Sequence, residues 1–248
     1  MSAFEAGVSA GRRGAVRVAA NIADAGSRLR SPTTAIGRAH VASIPRRRRP
    51  NPFAQAGLAV LRLVLPVLLL LCVGIACMVY GDRTVEGWGN YGGRQLTAGL
   101  VALPLTFFVI HLTNRRYGAA YALAQIVIAW PAALALLPTL LPQILSTSHL
   151  RIASAFAVGL FLAQLAAVIV FDALRGPGWW KAPLFGSLFA GIVFCLIAFP
   201  VAFAGTGVNW SADMLGYLML ATAASVLLLI PYGLLRSVVP PLSGFGGY

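Results

Sequence analysis

Few side chains in this 248-residue chain could do chemistry, and those few lie in or beside long apolar runs. His111 closes one run and is followed by Thr113, Asn114, Arg115 and Arg116. Gln125 and Gln164 are the deepest strong hydrogen-bonding side chains in two others. An imidazole, carboxamides and a guanidinium supply the donors and acceptors that a small polar ligand needs, and polar groups at membrane depth are costly unless they serve a purpose. His111, Asn114, Arg115, Gln125 and Gln164 are therefore the candidate substrate contacts. Glutamines at such depth also bond one helix to the next, and that reading stands beside the first. Arg62 lies one turn into its run, where its long stem reaches the interface. Asp172 stands three residues before Arg175, so a local ion pair explains it as well as a site does. Cys72, Cys77 and Cys195 lie inside apolar runs without metal-ligand spacing and read as small packing residues. No metal cluster, nucleophile–base pair or phosphate-cradling glycine loop appears. The chain reads as no enzyme, with no cofactor and no metal.

The elements that must position these residues are plain. Apolar runs occupy 57–80, 96–113, 117–141, 152–174, 183–205 and 211–235. A hydrocarbon core about 30 Å thick needs roughly 20 apolar residues per helix. The chain is 59% hydrophobic and only 10% charged, and no soluble domain could bury six such runs in so short a length. The fold class is an all-α integral membrane protein, a six-helix transmembrane bundle in one domain over 51–239. A basic arm, 1–50, precedes it and a Pro- and Gly-rich tail, 240–248, follows. Pro66, Pro131, Pro200 and Pro231 interrupt backbone hydrogen bonding within the spans. Small residues four apart, Ala129/Ala133, Ala153/Ala157 and Ala163/Ala167, allow close helix approach.

Positive charge sets orientation by staying on the cytoplasmic side. Arg46, Arg47, Arg48 and Arg49 precede the first span; Arg115 and Arg116 follow the second, Arg175 and Lys181 the fourth, and Arg236 the sixth. The opposite loops carry Arg83, Arg94 and Arg151, partly offset by Asp82 and Glu86. Both termini are expected on the cytoplasmic face of a bacterial inner membrane, with Trp88, Trp179, Trp180 and Trp210 near span ends.

The arm holds Arg12, Arg13, Arg17, Arg28, Arg30, Arg38 and the Arg46–Arg49 run against Glu5 and Asp24. Ala15, Val18, Ile22, Ala25 and Leu29 recur at helical steps opposite Arg13 and Arg17, a modest amphipathic pattern that Ser31-Pro32 ends. The arginine run meets anionic headgroups at about 1 kcal/mol per charge. Arg13, Arg17 and Arg46–Arg49 are the candidate membrane-surface or partner contacts; a disordered tail and an organelle-type targeting segment are the other readings of the arm. Nucleic acid is not an expected partner, because no aromatic residues interleave the arginines.

Three stretches resemble the vitamin-uptake transporter (VUT) family, which includes queuosine precursor transporters. They are PLTFFVIHLTNRRYG from Pro104 to Gly118, AQLAAVIVFDALR with WWKAP between Arg151 and Pro183, and LIPYGLLR ending the last span. The resemblance covers about 57–236 in order and implies a transporter of a small heterocyclic molecule. It also implies departures. Where members carry an Asp before the LTN stretch, this chain has His111. Where they carry an Asp in the fourth span it has Ala167, for an Asp–Thr pair in the fifth Phe194-Cys195, and for Asp and Lys in the sixth Tyr217 and Ala221. A deazaguanine needs several donors and acceptors, and each unmatched one is costly. Two functions follow: a transporter of that type, or a transport-inactive relative acting as a structural or assembly subunit of a larger membrane complex. Beyond the bilayer, the partners expected are a membrane complex or a second copy, and a small-molecule substrate if transport is retained.

Reporter fusions after Gly93 and after Ser148 are expected to read as periplasmic and one after Gly176 as cytoplasmic; opposite signals at any two of these sites reject the topology.

Overall fold

The computed structural model describes residues 52–81, 83, 97–140 and 147–242, without the side chains of 52, 54 and 147–149. Contacts divide the chain into Met1–Pro52 and Phe53–Tyr248, and the described residues belong to the second unit, save Pro52. The arm with Arg13, Arg17, Arg46, Arg47, Arg48 and Arg49, its amphipathic pattern over 15–29, Trp88 and the last six residues all lie outside the described residues.

Eight helices are present among the described residues, and no sheet. They are α1 Pro52–Val79, α2 Ala98–Ala102, α3 Pro104–Tyr117, α4 Ala119–Leu140, α5 Thr147–Ala173, α6 Lys181–Phe203, α7 Trp210–Leu227 and α8 Leu229–Leu235. They form six segments long and apolar enough to cross a membrane: Gln55–Val79, Ala98–Tyr117, Ala119–Leu140, Leu150–Ala173, Lys181–Phe203 and Trp210–Leu235. This is a multi-pass membrane protein by helix length and hydropathy.

The second and sixth segments are broken. Pro104 opens α3 at its first position, where its missing N–H is no loss. The sixth breaks at Leu228, just upstream of Pro231, whose ring clashes with the carbonyl four residues back. Pro66, Pro131 and Pro200 lie inside continuous helices, as does Pro138. Of the four prolines expected to interrupt backbone hydrogen bonding, Pro231 also accompanies a break in its span.

The apolar run of the second span stops at 113, but its helix continues through the polar LTNRRY turn. Gly118, at φ 85°, ends it, and its N–H bonds the Asn114 carbonyl at 2.9 Å. His111 and Asn114 thus sit inside a helix rather than at the fraying end of a span. The polar residues find partners in their own helix, in neighbouring segments and in the chain past α8.

α5 and α6 make the most extensive contact in the bundle. Ala155, Gly159, Ala163 and Ala167 form a fully buried stripe along α5. On α6, Ala182, Gly186, Ala190, Ala198 and Ala202 recur at the same period, with Phe194 filling the middle place. The Ala153/Ala157 pair is only partly buried. The packing face therefore lies two residues on from that pair, because spacing alone does not say which way a helix is turned. A Cβ on Gly159 would stand 2.9 Å from that of Ala198. Small residues let the two backbones approach at this distance, and packing supplies the attraction where lipid offers no hydrophobic drive.

Arg151, near the start of α5, caps the end of α6. Its guanidinium donates to the Ala204 carbonyl at 2.6 Å and to that of Val201 at 3.3 Å. These are among the orphan acceptors that every helix C-terminus leaves. α1 packs loosely on the rest and exposes Leu58, Leu61, Leu65 and Leu68. Its C-terminal end is held by α2: Gly99 donates to the Tyr80 carbonyl at 3.0 Å, and a Cβ there would fall 2.2 Å from the Cys77 carbonyl oxygen.

Gly159→Ala is expected to destabilise the bundle in detergent by about 1–3 kcal/mol through overpacking. Gly74→Ala, where a Cβ meets nothing within 4 Å, is expected to be neutral or to gain up to about 1 kcal/mol of helix propensity. Equal melting temperatures for the two variants would contradict this account of the α5–α6 contact.

Candidate functional site

His111 is held on three sides. Its ring stacks on Phe171 with centroids 5.0 Å apart and planes 19° from parallel. Its Nε2 pairs with the Ser187 hydroxyl at 3.0 Å, a bond that either atom can donate according to the imidazole tautomer. Gly186 leaves room for the ring, since a Cβ there would stand 2.8 Å from Cε1. The His111 Nδ1 is buried without a hydrogen-bond partner among the described residues. Three elements thus meet at one imidazole: α3 carries it, the end of α5 stacks on it and the start of α6 bonds it.

Asn114 lies one turn further on and is fully buried. Its Nδ2 donates to the Val168 carbonyl at 3.3 Å. Its side-chain oxygen accepts a short hydrogen bond from Arg175, whose same nitrogen also donates to the Asn114 backbone carbonyl at 2.8 Å. Arg175 Nε stands 2.6 Å from Asp172 Oδ1, an ion pair in contact although no N–H is aimed along it. The Arg175 guanidinium also lies over the Phe171 ring, 5.6 Å from its centroid. Asn114 and Arg175 together lock α3 to the end of α5 through charge-assisted hydrogen bonds.

Arg115 and Arg116 turn the other way. Arg115 donates to the Val239 carbonyl at 3.3 Å and reaches the Tyr232 hydroxyl of α8. Arg116 donates to Pro240 at 3.2 Å, and its own carbonyl accepts from Leu242 at 3.0 Å. Residues 239–242 therefore form a strap across the end of α3. The four polar residues that follow one another in sequence thus divide into two pairs. His111 and Asn114 face the bundle interior; Arg115 and Arg116 bind the strap and α8.

Gln125 and Gln164 join different helix pairs. Gln125 donates to the Pro66 carbonyl of α1 at 2.8 Å, its Oε1 remaining buried without a hydrogen-bond partner among the described residues. Gln164 accepts from the Trp130 indole N–H at 2.8 Å, tying α5 to α4. The glutamines are cross-links between helices, and they do not converge with His111 and Asn114 on a shared cavity.

A small cleft opens beside this network, lined by Arg115, Phe171, Arg175, Trp179 and Tyr232 among others. Its volume is about 20 Å³, room for a water molecule or one ligand oxygen and far too little for a fused heterocycle. The bundle centre is filled. Ala167, Phe194, Cys195, Tyr217 and Ala221 belong to one core cluster, with Phe194 and Tyr217 rings 5.1 Å apart and Phe199 6.1 Å from Tyr217. The Tyr217 hydroxyl is buried there without a hydrogen-bond partner among the described residues.

No family model, no curated protein and no solved structure matches this chain.

The sequence did not single out Ser187, Phe171, Tyr232 or Trp179 as parts of this network, and it left Arg175 as the partner of Asp172. The available signal for Arg175 was its place beside a span that already carried an acid. Ser187 offered none, since its partner lies 76 residues away.

Asn114→Ala removes the side-chain acceptor for Arg175 and a donor to α5, leaving the backbone carbonyl in place, and is expected to lower stability by about 1–3 kcal/mol. Gln125→Leu removes a single interhelical bond, expected to contribute about 0.6 kcal/mol and at most about 1.7. Thermal unfolding of the two variants in the same detergent tests the order.

Proposed function

We propose that this chain is a transport-inactive relative of the vitamin-uptake transporter type, serving as a structural or assembly subunit of a larger membrane protein complex. The observation that carries the reading is the filled midplane. Four positions where the resemblance calls for charged or polar groups hold Ala167, Phe194, Tyr217 and Ala221, packed into one apolar core. Carriers of this kind bind substrate near the midplane, beside broken helices and exposed backbone groups. Here the polar residues closest to that role bond other helices instead, as His111, Asn114, Gln125 and Gln164 do.

A second reading, a transporter of a small heterocyclic substrate, is favoured by one set of observations. Among the described residues, His111 Nδ1, Gln125 Oε1 and the Tyr217 hydroxyl are buried without hydrogen-bond partners, and two of the six spans are broken. An opened state that brought substrate to those atoms would satisfy them.

In a strain lacking its own queuosine precursor transporter, this chain is expected to leave uptake unrestored. Isolated from its native membrane, it is expected to migrate in a stoichiometric complex. Deleting residues 1–45 while keeping Arg46–Arg49 is expected to release it from that complex with insertion intact, because the orienting charges remain. Restored uptake that is unaffected by the deletion would reject the subunit reading and leave the transporter reading standing.

A further inference from the structure

We propose that α8 and the strap form a hinged cover over the buried His111–Ser187 pair, latched shut by Arg115 and Arg116. The proposal holds under either reading of function above. α8 is attached to the bundle unevenly. It continues α7 and makes its main helix contact there. Ile230 and Leu234 are exposed on it, and Tyr232 is its buried side chain. Tyr232 packs with Phe171 and Ala182, and the Phe108 ring meets it edge-on at 6.5 Å. Gly233 lets the α8 backbone close on Trp179, since a Cβ there would stand 3.2 Å from the indole Cη2. An element with so few buried contacts opens at low cost compared with the core.

The hinge lies where the sixth span breaks, at Leu228. Pro231 has no N–H to offer the Leu227 carbonyl four residues back, so the hydrogen-bond ladder lacks a rung at the joint. Hinges are a few such residues at the ends of elements. The latch is at the other end of α8. Val239 and Pro240 accept from Arg115 at 3.3 Å and from Arg116 at 3.2 Å, and the Leu242 N–H bonds the Arg116 carbonyl at 3.0 Å. Arg115 also reaches the Tyr232 hydroxyl, so one guanidinium holds both cover and strap. Pro240 and Pro241 have no N–H, and proline favours an extended backbone whose carbonyls are free for outside donors. The Val238 and Val239 N–H groups are already bonded to the Leu235 carbonyl.

Behind Tyr232 lies the polar pair. Phe171 and Ala182 line the cleft beside Tyr232. Phe171 carries the His111 ring stacked on it at 5.0 Å, and Gly186, one turn on from Ala182, meets the same imidazole. Ser187 follows and bonds the His111 Nε2. With the cover closed, His111 is 1% exposed and Ser187 7%, and the cleft of about 20 Å³ holds one water molecule. With Tyr232 withdrawn, the cleft deepens to the Phe171 ring and the polar pair comes within reach of water.

The test uses the full chain with Cys72, Cys77 and Cys195 replaced by alanine, purified in a mild detergent. Ser187→Cys reports on the pair, and its modification by a charged methanethiosulfonate is timed by intact-mass spectrometry. Thr106→Cys, fully buried at the other end of α3, is the control. Changing Arg115 and Arg116 together to Gln is expected to speed modification of Ser187→Cys about tenfold or more, since both charge-assisted bonds to the strap are lost. Thr106→Cys is expected to stay unreactive. Ending the chain at Val238 removes the strap and keeps both arginines, and it is expected to give the same acceleration should the double variant fail to fold. Pro231→Ala restores the missing rung and is expected to slow the reaction. Equal Ser187→Cys rates with and without the strap, or a parallel rise at Thr106→Cys, would overturn the proposal.

Discussion

Two helix backbones brought almost into contact set the geometry of this bundle. α5 and α6 meet through Gly159 and Ala198, and above and below that point through alanines and glycine spaced one turn apart. In lipid there is no hydrophobic gain from hiding leucine from leucine, so association rests on dispersion between closely fitted surfaces and on polar bonds. Once α5 and α6 are locked, the start of α6 carries Ser187 to His111 and the end of α5 carries Val168 and Phe171 to α3. The second span is therefore positioned by a pair of helices that come after it in the chain. α7 joins the other side of α6, where Phe194, Phe199 and Tyr217 interlock.

The polar side chains obey the second rule of the bilayer, that donors and acceptors must find partners within the protein. Gln125, Gln164, Asn114 and His111 each reach a different helix. Their distribution resembles rivets spread along seams more than a ring around a substrate. Among the described residues, His111 Nδ1 and Gln125 Oε1 are unpartnered atoms of groups bonded through their Nε2, and the Tyr217 hydroxyl has no hydrogen-bond partner. Arg151 follows the same rule at the other face. It is held by two carbonyls at the end of α6, Val201 and Ala204.

The six spans were legible because hydropathy sums along the chain without any knowledge of contacts; the expected and observed boundaries differ by a few residues, with 57–80 against Gln55–Val79 for the first. The second span was misjudged at its end, where the apolar run and the helix part company at residue 113. The interhelical use of the glutamines was readable from chemistry, but their partners Pro66 and Trp130 were not. Partners such as Ser187 for His111, Arg175 for Asn114 and Val239 for Arg115 are 61 to 124 residues distant in sequence, and no local pattern encodes such pairings. The rotational setting of α5 was legible only in part: Ala163/Ala167 lies on the packing stripe, but Ala153/Ala157 and Ala155/Gly159 look alike until a neighbour is in place.

The order in which these partners are synthesised has its own consequence. The second span is the least apolar of the six and the most buried. At about 5–20 residues per second, Arg175 follows Asn114, 61 residues earlier, by roughly 3–12 s. The strap that Arg115 binds, 124 residues on, follows by roughly 6–25 s. For that interval the second span has its polar face and neither of the groups that satisfy it. The growing chain must hold this helix at the insertion machinery, or against α4, until α5 and α6 arrive. Nascent chains halted between residues 140 and 165 are thus the stage at which this protein is most exposed to quality control, and the last few residues of the strap are what closes that window.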